Sequence, residues 1–212
     1  MRATRIAGMC IVACLSLSSL SVAQSQFSVF AGIHLPQVWG TGAGDNASGT
    51  LGLHWLPAIN LGTSIQFGVA DWFDVSPSIE YNLYLFDSYH QQTIAAPPIL
   101  VASSGRPSHA LRIAVDARFV DRSSSSVSFY ALTGLGYVAN WMGAIDLTWS
   151  SPGSESHLSH DPEFNWVQTF GGGFQYQLSS VYSLDGSIRC FADYRNPVDL
   201  SINVGFSYLL GK

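Results

Sequence analysis

The chain reads as an all-β protein, an eight-stranded antiparallel up-and-down transmembrane β-barrel with three long external loops and short periplasmic turns. Three features of the 212-residue sequence point there. Apolar and small polar residues alternate with period two through eight stretches, the pattern of strands with one apolar face. The connections between those stretches alternate strictly between long and short, as in outer-membrane barrels. Only 11% of residues are charged while 13% are aromatic, a composition that excludes a disordered chain.

Arg2 and Arg5 precede an apolar stretch from Ile6 to Leu20, and Ser21-Val22-Ala23 supplies the small residues a signal peptidase reads. Residues 1–23 are therefore expected to be a cleaved signal peptide, and 24–212 the barrel domain. Ile11-Val12-Ala13-Cys14 offers a rival lipidation site, but the apolar stretch runs on past Cys14, which favours cleavage after Ala23. Removal of the leader takes Cys10 and Cys14 with it and leaves Cys190 as the only thiol, so no disulfide can staple the fold. It also leaves seven basic residues against fourteen acidic ones, a net charge of −7. An acidic protein with a single lysine, Lys212, is a poor partner for nucleic acid.

The strands follow in order. Phe27, Val29, Ala31, Ile33 and Leu35 alternate with Ser28, Phe30, Gly32 and His34; Ile59 to Val69 alternates with Asn60, Gly62, Ser64, Gln66 and Gly68. Val75 to Leu85 is set against Ser76, Ser78, Glu80, Asn82, Tyr84 and Phe86. In the fourth, Leu111, Ile113, Val115, Ala117 and Phe119 oppose Arg112, Asp116 and Arg118. The fifth runs from Val127 to Trp141, the sixth from Asn165 to Leu178, the seventh from Tyr182 to Tyr194, and the eighth from Leu200 to Tyr208. Most have ten or so residues, which a tilted strand needs to cross a hydrocarbon layer. Residues 71–74, 121–126 and 179–181 form short turns; 36–58, 87–109 and 142–164 form long loops, with 195–199 a shorter fourth. The stretch 36–58 is long enough to hold extra pairing around Leu51 to Trp55.

Two patterns decide which face meets lipid. The polar face carries Gly, Ser, Asn and Gln in place of the Lys and Glu that a soluble barrel shows to water, which suits the crowded inside of a narrow barrel. Every charge within a strand also falls on that face: Glu80, Arg112, Asp116, Arg118, Asp185, Arg189 and Asp193. Charges confined in a lumen must pair, since an unpaired buried ion costs several kcal/mol. A plugged lumen held by an ion-pair network is therefore expected, with arginine chosen over lysine for its forked contacts to carboxylates. Aromatic residues collect near strand ends: Trp55, Trp72, Trp141, Trp166, Tyr182, Tyr194 and Tyr208, as in interfacial girdles.

Four short segments carry a family resemblance: Gly68 to Val75, Tyr130 to Tyr137, Gly171 to Leu178 and Val204 to Tyr208. With them the chain resembles the small bacterial outer-membrane β-barrel domains, the OmpA-like and PorT-like group, over Phe27 to Leu210. The resemblance implies a bacterial outer-membrane location and no cofactor. Its implied partners are outer-membrane lipid and lipopolysaccharide, and the barrel-assembly machinery during insertion. That machinery commonly reads a terminal aromatic residue; this chain ends Leu209-Leu210-Gly211-Lys212, so Phe206 or Tyr208 would supply the signal.

Some barrels resembling this one modify lipid A, and His157-Leu158-Ser159 with Glu155, Asp161 and Glu163 has the residue types of a hydrolytic site. His157, His160, Asp161 and Glu163 could equally ligate a metal. Both sets fall in 142–164, where Pro152 and Gly153 predict an irregular, solvated segment that fixes no catalytic geometry. His34 is expected to hydrogen-bond within the lumen and Cys190 to face lipid as a small apolar group. The function expected is therefore a non-enzymatic outer-membrane barrel contributing to membrane structure or surface interaction, with any extracellular ligand held by loops 36–58, 87–109 and 142–164. A narrow channel for small solutes or ions is the first alternative, a lipid A-modifying enzyme the second, and a soluble lipocalin-like binder the third.

Overall fold

A computed structural model describes residues 25–39, 51–52, 56–85, 92–93, 100–123, 126–149, 155–158, 161–193 and 198–210. Eight strands close into one barrel: β1 (Ser25–Trp39), β2 (Ala58–Ala70), β3 (Phe73–Tyr84), β4 (Ser108–Asp121), β5 (Val127–Trp141), β6 (Glu163–Gln177), β7 (Tyr182–Asp193) and β8 (Val198–Leu210). Each pairs antiparallel with its sequence neighbours, and β8 closes on β1 with Val204 opposite Ala31. Strand lengths of 12 to 15 residues exceed the nine to eleven or so that a tilted crossing needs. No sheet edge is left in the barrel wall, so every backbone group in it can find a partner without water.

Polarity is inverted relative to a soluble barrel. Along β3, Ile79 and Tyr81 are 51% and 38% exposed, while Glu80 and Asn82 between and beyond them are 2% and 0% exposed. The same phase runs through β4, where Ile113, Val115 and Phe119 face out and Arg112, Asp116 and Arg118 face in.

The connections at one end are short. Asp71 and Trp72 link β2 to β3, residues 122–126 link β4 to β5, and 178–181 link β6 to β7. In the second of these the Ser123 amide donates to the Asp121 carboxylate at 2.9 Å.

The other end corrects the expectation of irregular loops. Leu100–Gly105, Ile145–Trp149 and Glu155–Leu158 form a three-stranded sheet beyond the barrel, with Ile145–Trp149 in the centre. It prolongs β4 and β5, since the Arg106 amide donates to the Ala144 carbonyl and the Gly143 amide to the Ser108 hydroxyl. The physical reason is a short alternation: Ile145 and Leu147 are fully buried, while Asp146 and Thr148 face solvent. Pairing also occurs within 36–58, where Leu51–Gly52 forms a two-residue ladder with Gln92–Thr93 outside the barrel. The barrel count stays at eight. β1 continues past Pro36 to Trp39 through a register shift after Leu35, an irregularity that accommodates a proline.

Candidate functional site: the lumen and its two rims

The lumen is filled at three levels, each built around one arginine. Nearest the loop end, Arg112 on β4 faces Glu80 on β3 directly across the ladder and donates from Nη1 to Oε1 at 2.7 Å. Glu80 also accepts from Asn60 and, at 3.4 Å, from Asn82. Asn60 in turn donates to Asn82 at 3.0 Å and to Ser201 on β8 at 3.1 Å, which ties β2, β3 and β8 across the bore. The Arg112 guanidinium lies 3.5 Å from the centroid of the Phe191 ring, a cation–π contact between two buried side chains.

The middle level holds Arg189 of β7 and Asp116 of β4. Their separation of 3.5 Å makes this the loosest of the three pairs. Arg189 lies 5.2 Å from the Phe30 ring centroid. Asp116 needs Gly134 beside it, because a Cβ there would stand 2.1 Å from Asp116 Oδ1 and 2.6 Å from the Val115 carbonyl oxygen.

At the turn end, Arg118 donates to Asp185 at 3.0 Å and to the Gln66 side-chain carbonyl at 2.7 Å. It lies 3.7 Å from the centroid of the Tyr130 ring, whose hydroxyl donates to Asp185 at 2.7 Å. Gln66 passes the contact on to Asp74, donating at 2.5 Å. Arg122, from the turn after β4, grips both Asp74 oxygens at 2.8 and 2.9 Å and also reaches the Asp71 carbonyl.

Of the seven charged residues that the sequence phases inward, Glu80, Arg112, Asp116, Arg118, Asp185 and Arg189 meet in these three pairs. Asp193 closes β7, but its side chain lies outside the described residues. His34 is buried and its Nε2 lies 3.2 Å from Asp199 Oδ2. Sequence reasoning missed the rings: Phe30, Tyr130 and Phe191 share the inward phase of the arginines but were given no role. It also missed Arg122 and Asp74, which it left in or beside a turn.

Among the described residues, outward tryptophans and tyrosines gather towards the two ends of the barrel. At the turn end, Trp72 stacks on Phe119 with 6.2 Å between centroids, and Tyr182 packs against Tyr208 at 5.4 Å. At the loop end, Tyr137 meets Trp166 edge-on at 5.5 Å, and Trp141 is exposed at the close of β5. Tyr194 and Trp55 lie outside the described residues. Cys190 follows the outward phase between Phe170 and Leu200 in the ladders.

His157 Nδ1 lies 2.6 Å from Asp146 Oδ1, on the solvent face of the outer sheet. Ser159 and His160 lie outside the described residues, and among those described no three His, Cys, Asp or Glu side chains converge as a metal set.

No protein-family model matches the chain, and no curated protein matches it in sequence. Solved structures do. The outer membrane protein OprG from Pseudomonas aeruginosa superposes with a TM-score of 0.55 at 12% identity, over 90% of this chain and 97% of that one. Ail, the attachment invasion locus protein of Yersinia pestis, in complex with the heparin analogue sucrose octasulfate, gives 0.50 at 13% identity, over 88% and 98%. At such identities the likeness concerns the fold, and the fold is that of a closed eight-stranded antiparallel outer-membrane-type barrel.

Proposed function

We propose that the chain is an integral protein of the bacterial outer membrane, a non-enzymatic barrel with a filled lumen that contributes to membrane structure or surface interaction. The turn end then faces the periplasm, and the outer sheet projects outside. The observation that carries this reading is the inverted polarity: an apolar wall on the outside with carboxylates and guanidiniums paired within. In water such a wall would be an apolar patch far beyond what monomeric soluble proteins expose. In lipid it is the expected surface.

Surface interaction fits the outer sheet, whose solvent face carries Asp146, Thr148, Glu155 and His157. The channel alternative requires a continuous path, and the three arginine levels stand across it.

The test is electrophoretic mobility in cold and boiled detergent, followed by planar bilayer recording and mass spectrometry of lipid A. A heat-dependent mobility shift, silent bilayers and unaltered lipid A are expected. Recovery in the soluble fraction without detergent would refute the membrane reading; discrete conductance steps, or modified lipid A, would refute the rest.

A further inference from the structure

β6 carries an amide on the face that meets lipid. Val167 and Thr169 point into the barrel, 3% and 1% exposed, and Gln168 between them is exposed on the wall. Trp166 and Tyr176 are exposed on the same face, towards the two ends of the strand. On a strand tilted by about 45°, the stretch between them rises roughly 23 Å, close to the height of an apolar band. Gln168, two residues in from Trp166, lies about 5 Å inside that band.

The backbone around this side chain is engaged on both sides, with Gln168 opposite Leu135 on β5 and Ala192 on β7 in unbroken ladders. Among the described residues, the Gln168 side chain has no hydrogen-bond partner. A primary amide brings two donors and a carbonyl acceptor, and leaving them bare in hydrocarbon is costly.

Two features identify what can cover it. The amide is self-complementary: two of them related by a two-fold axis exchange two N–H to carbonyl hydrogen bonds, which no acyl chain can offer. The wall is also low beside it. Ala192 stands directly across the ladder and Cys190 two residues further along β7, opposite Phe170, so a second wall can approach on that side. Facing walls of two such barrels cross at the tilt of their strands, which confines the contact to a small patch where one amide and one alanine count.

We propose that two copies of the chain pair within the membrane through the β6–β7 wall, about a two-fold axis along the membrane normal. Each copy seats its Gln168 beside Ala192 of the other, and the two amides exchange hydrogen bonds. This rests on the outer-membrane reading, because in water the same amide would be hydrated.

The test is sedimentation equilibrium of the refolded chain in density-matched detergent micelles, over a range of protein-to-detergent ratios. Wild type should reach a dimer. Gln168→Leu keeps the bulk and removes both hydrogen bonds, and should weaken the dimer about tenfold. Ala192→Trp fills the seat and should abolish the dimer, whereas Ala31→Trp, outward on β1, should leave it unchanged. A heat-dependent mobility shift in each variant shows that the barrel has folded. A wild type that stays monomeric at every ratio would mean that headgroups satisfy the amide, and overturns the proposal. A Gln168→Leu dimer as tight as that of wild type, or loss of the dimer in Ala31→Trp, overturns it equally. All three results leave the membrane reading intact; absence of the heat-dependent shift in wild type would strike that reading instead.

Discussion

Replacing Arg112 by methionine removes one guanidinium and leaves Glu80, 2% exposed, with amide donors but no directly bonded counter-charge. Breaking a buried pair this way costs about 3–5 kcal/mol, because the remaining charge stays desolvated. The flat contact over Phe191 is lost as well, although methionine keeps much of the packing. Glu80→Gln is the complementary change. Its side-chain carbonyl still accepts from Asn60, so the amide network to Asn82 and Ser201 survives while Arg112 is left unpaired. The double variant Arg112→Met/Glu80→Gln removes both charges and should lose less than the sum of the two single losses, with a coupling energy of about 2–3 kcal/mol. The assay is equilibrium unfolding in urea after reconstitution into vesicles, followed by tryptophan fluorescence and by the fraction of heat-shifted protein. If the single effects add to within about 0.5 kcal/mol, the two charges do not act as a pair and the lumen account fails.

Three other perturbations test separate parts of the fold. Val115→Arg puts a charge on the outward wall between Pro77 and Leu135, and should reduce stability in vesicles by about 2–4 kcal/mol; an unchanged unfolding midpoint would mean that the two faces are assigned backwards. Gly134→Ala drives a methyl against Asp116 and the Val115 carbonyl, and should lower stability by about 1–3 kcal/mol, whereas Gly134→Ala in an Asp116→Ser background should lose less. Arg122→Gln frees the turn after β4 from Asp74, but the guanidinium is one-third exposed and Gln66 still holds the acid, so a loss of only about 1 kcal/mol is expected from the unfolding midpoint.

The barrel wall was legible because its code is local. A strand that separates lipid from a filled lumen must alternate at every residue, and the bounds read for the fifth strand, Val127 to Trp141, are those of β5. The outer sheet was less legible because its central strand has five residues and is followed by Pro152 and Gly153, which a local reading takes as irregular. In the lumen, the sequence reveals the inward phase of Arg118 and Asp185, but not that they meet across 67 residues of chain. That depends on how each strand is staggered against the next, and no single strand carries this information. The inward rings were hidden for a different reason. Phe30 and Phe191 are apolar residues on a polar face, and sorting by polarity has no place for them until the guanidiniums they cover are located.

The three levels also explain the residue choice along the bore. A lysine ammonium could satisfy each carboxylate, but it is a strongly hydrated point charge that brings no flat surface to a ring. Arginine satisfies an acid through its edge and an aromatic ring through its face, so one side chain closes contact on two sides of a bore only just wide enough for side chains. Each arginine does so here: Arg112 with Glu80 and Phe191, Arg189 with Asp116 and Phe30, Arg118 with Asp185 and Tyr130. The partners come from β3 and β7, then β4 and β1, then β7 and β5, so successive plugs lean on different parts of the wall. Displacing any one of the three guanidiniums would leave its carboxylate without the ion pair made here. Loss of one level should therefore weaken the barrel well before it opens a path through it.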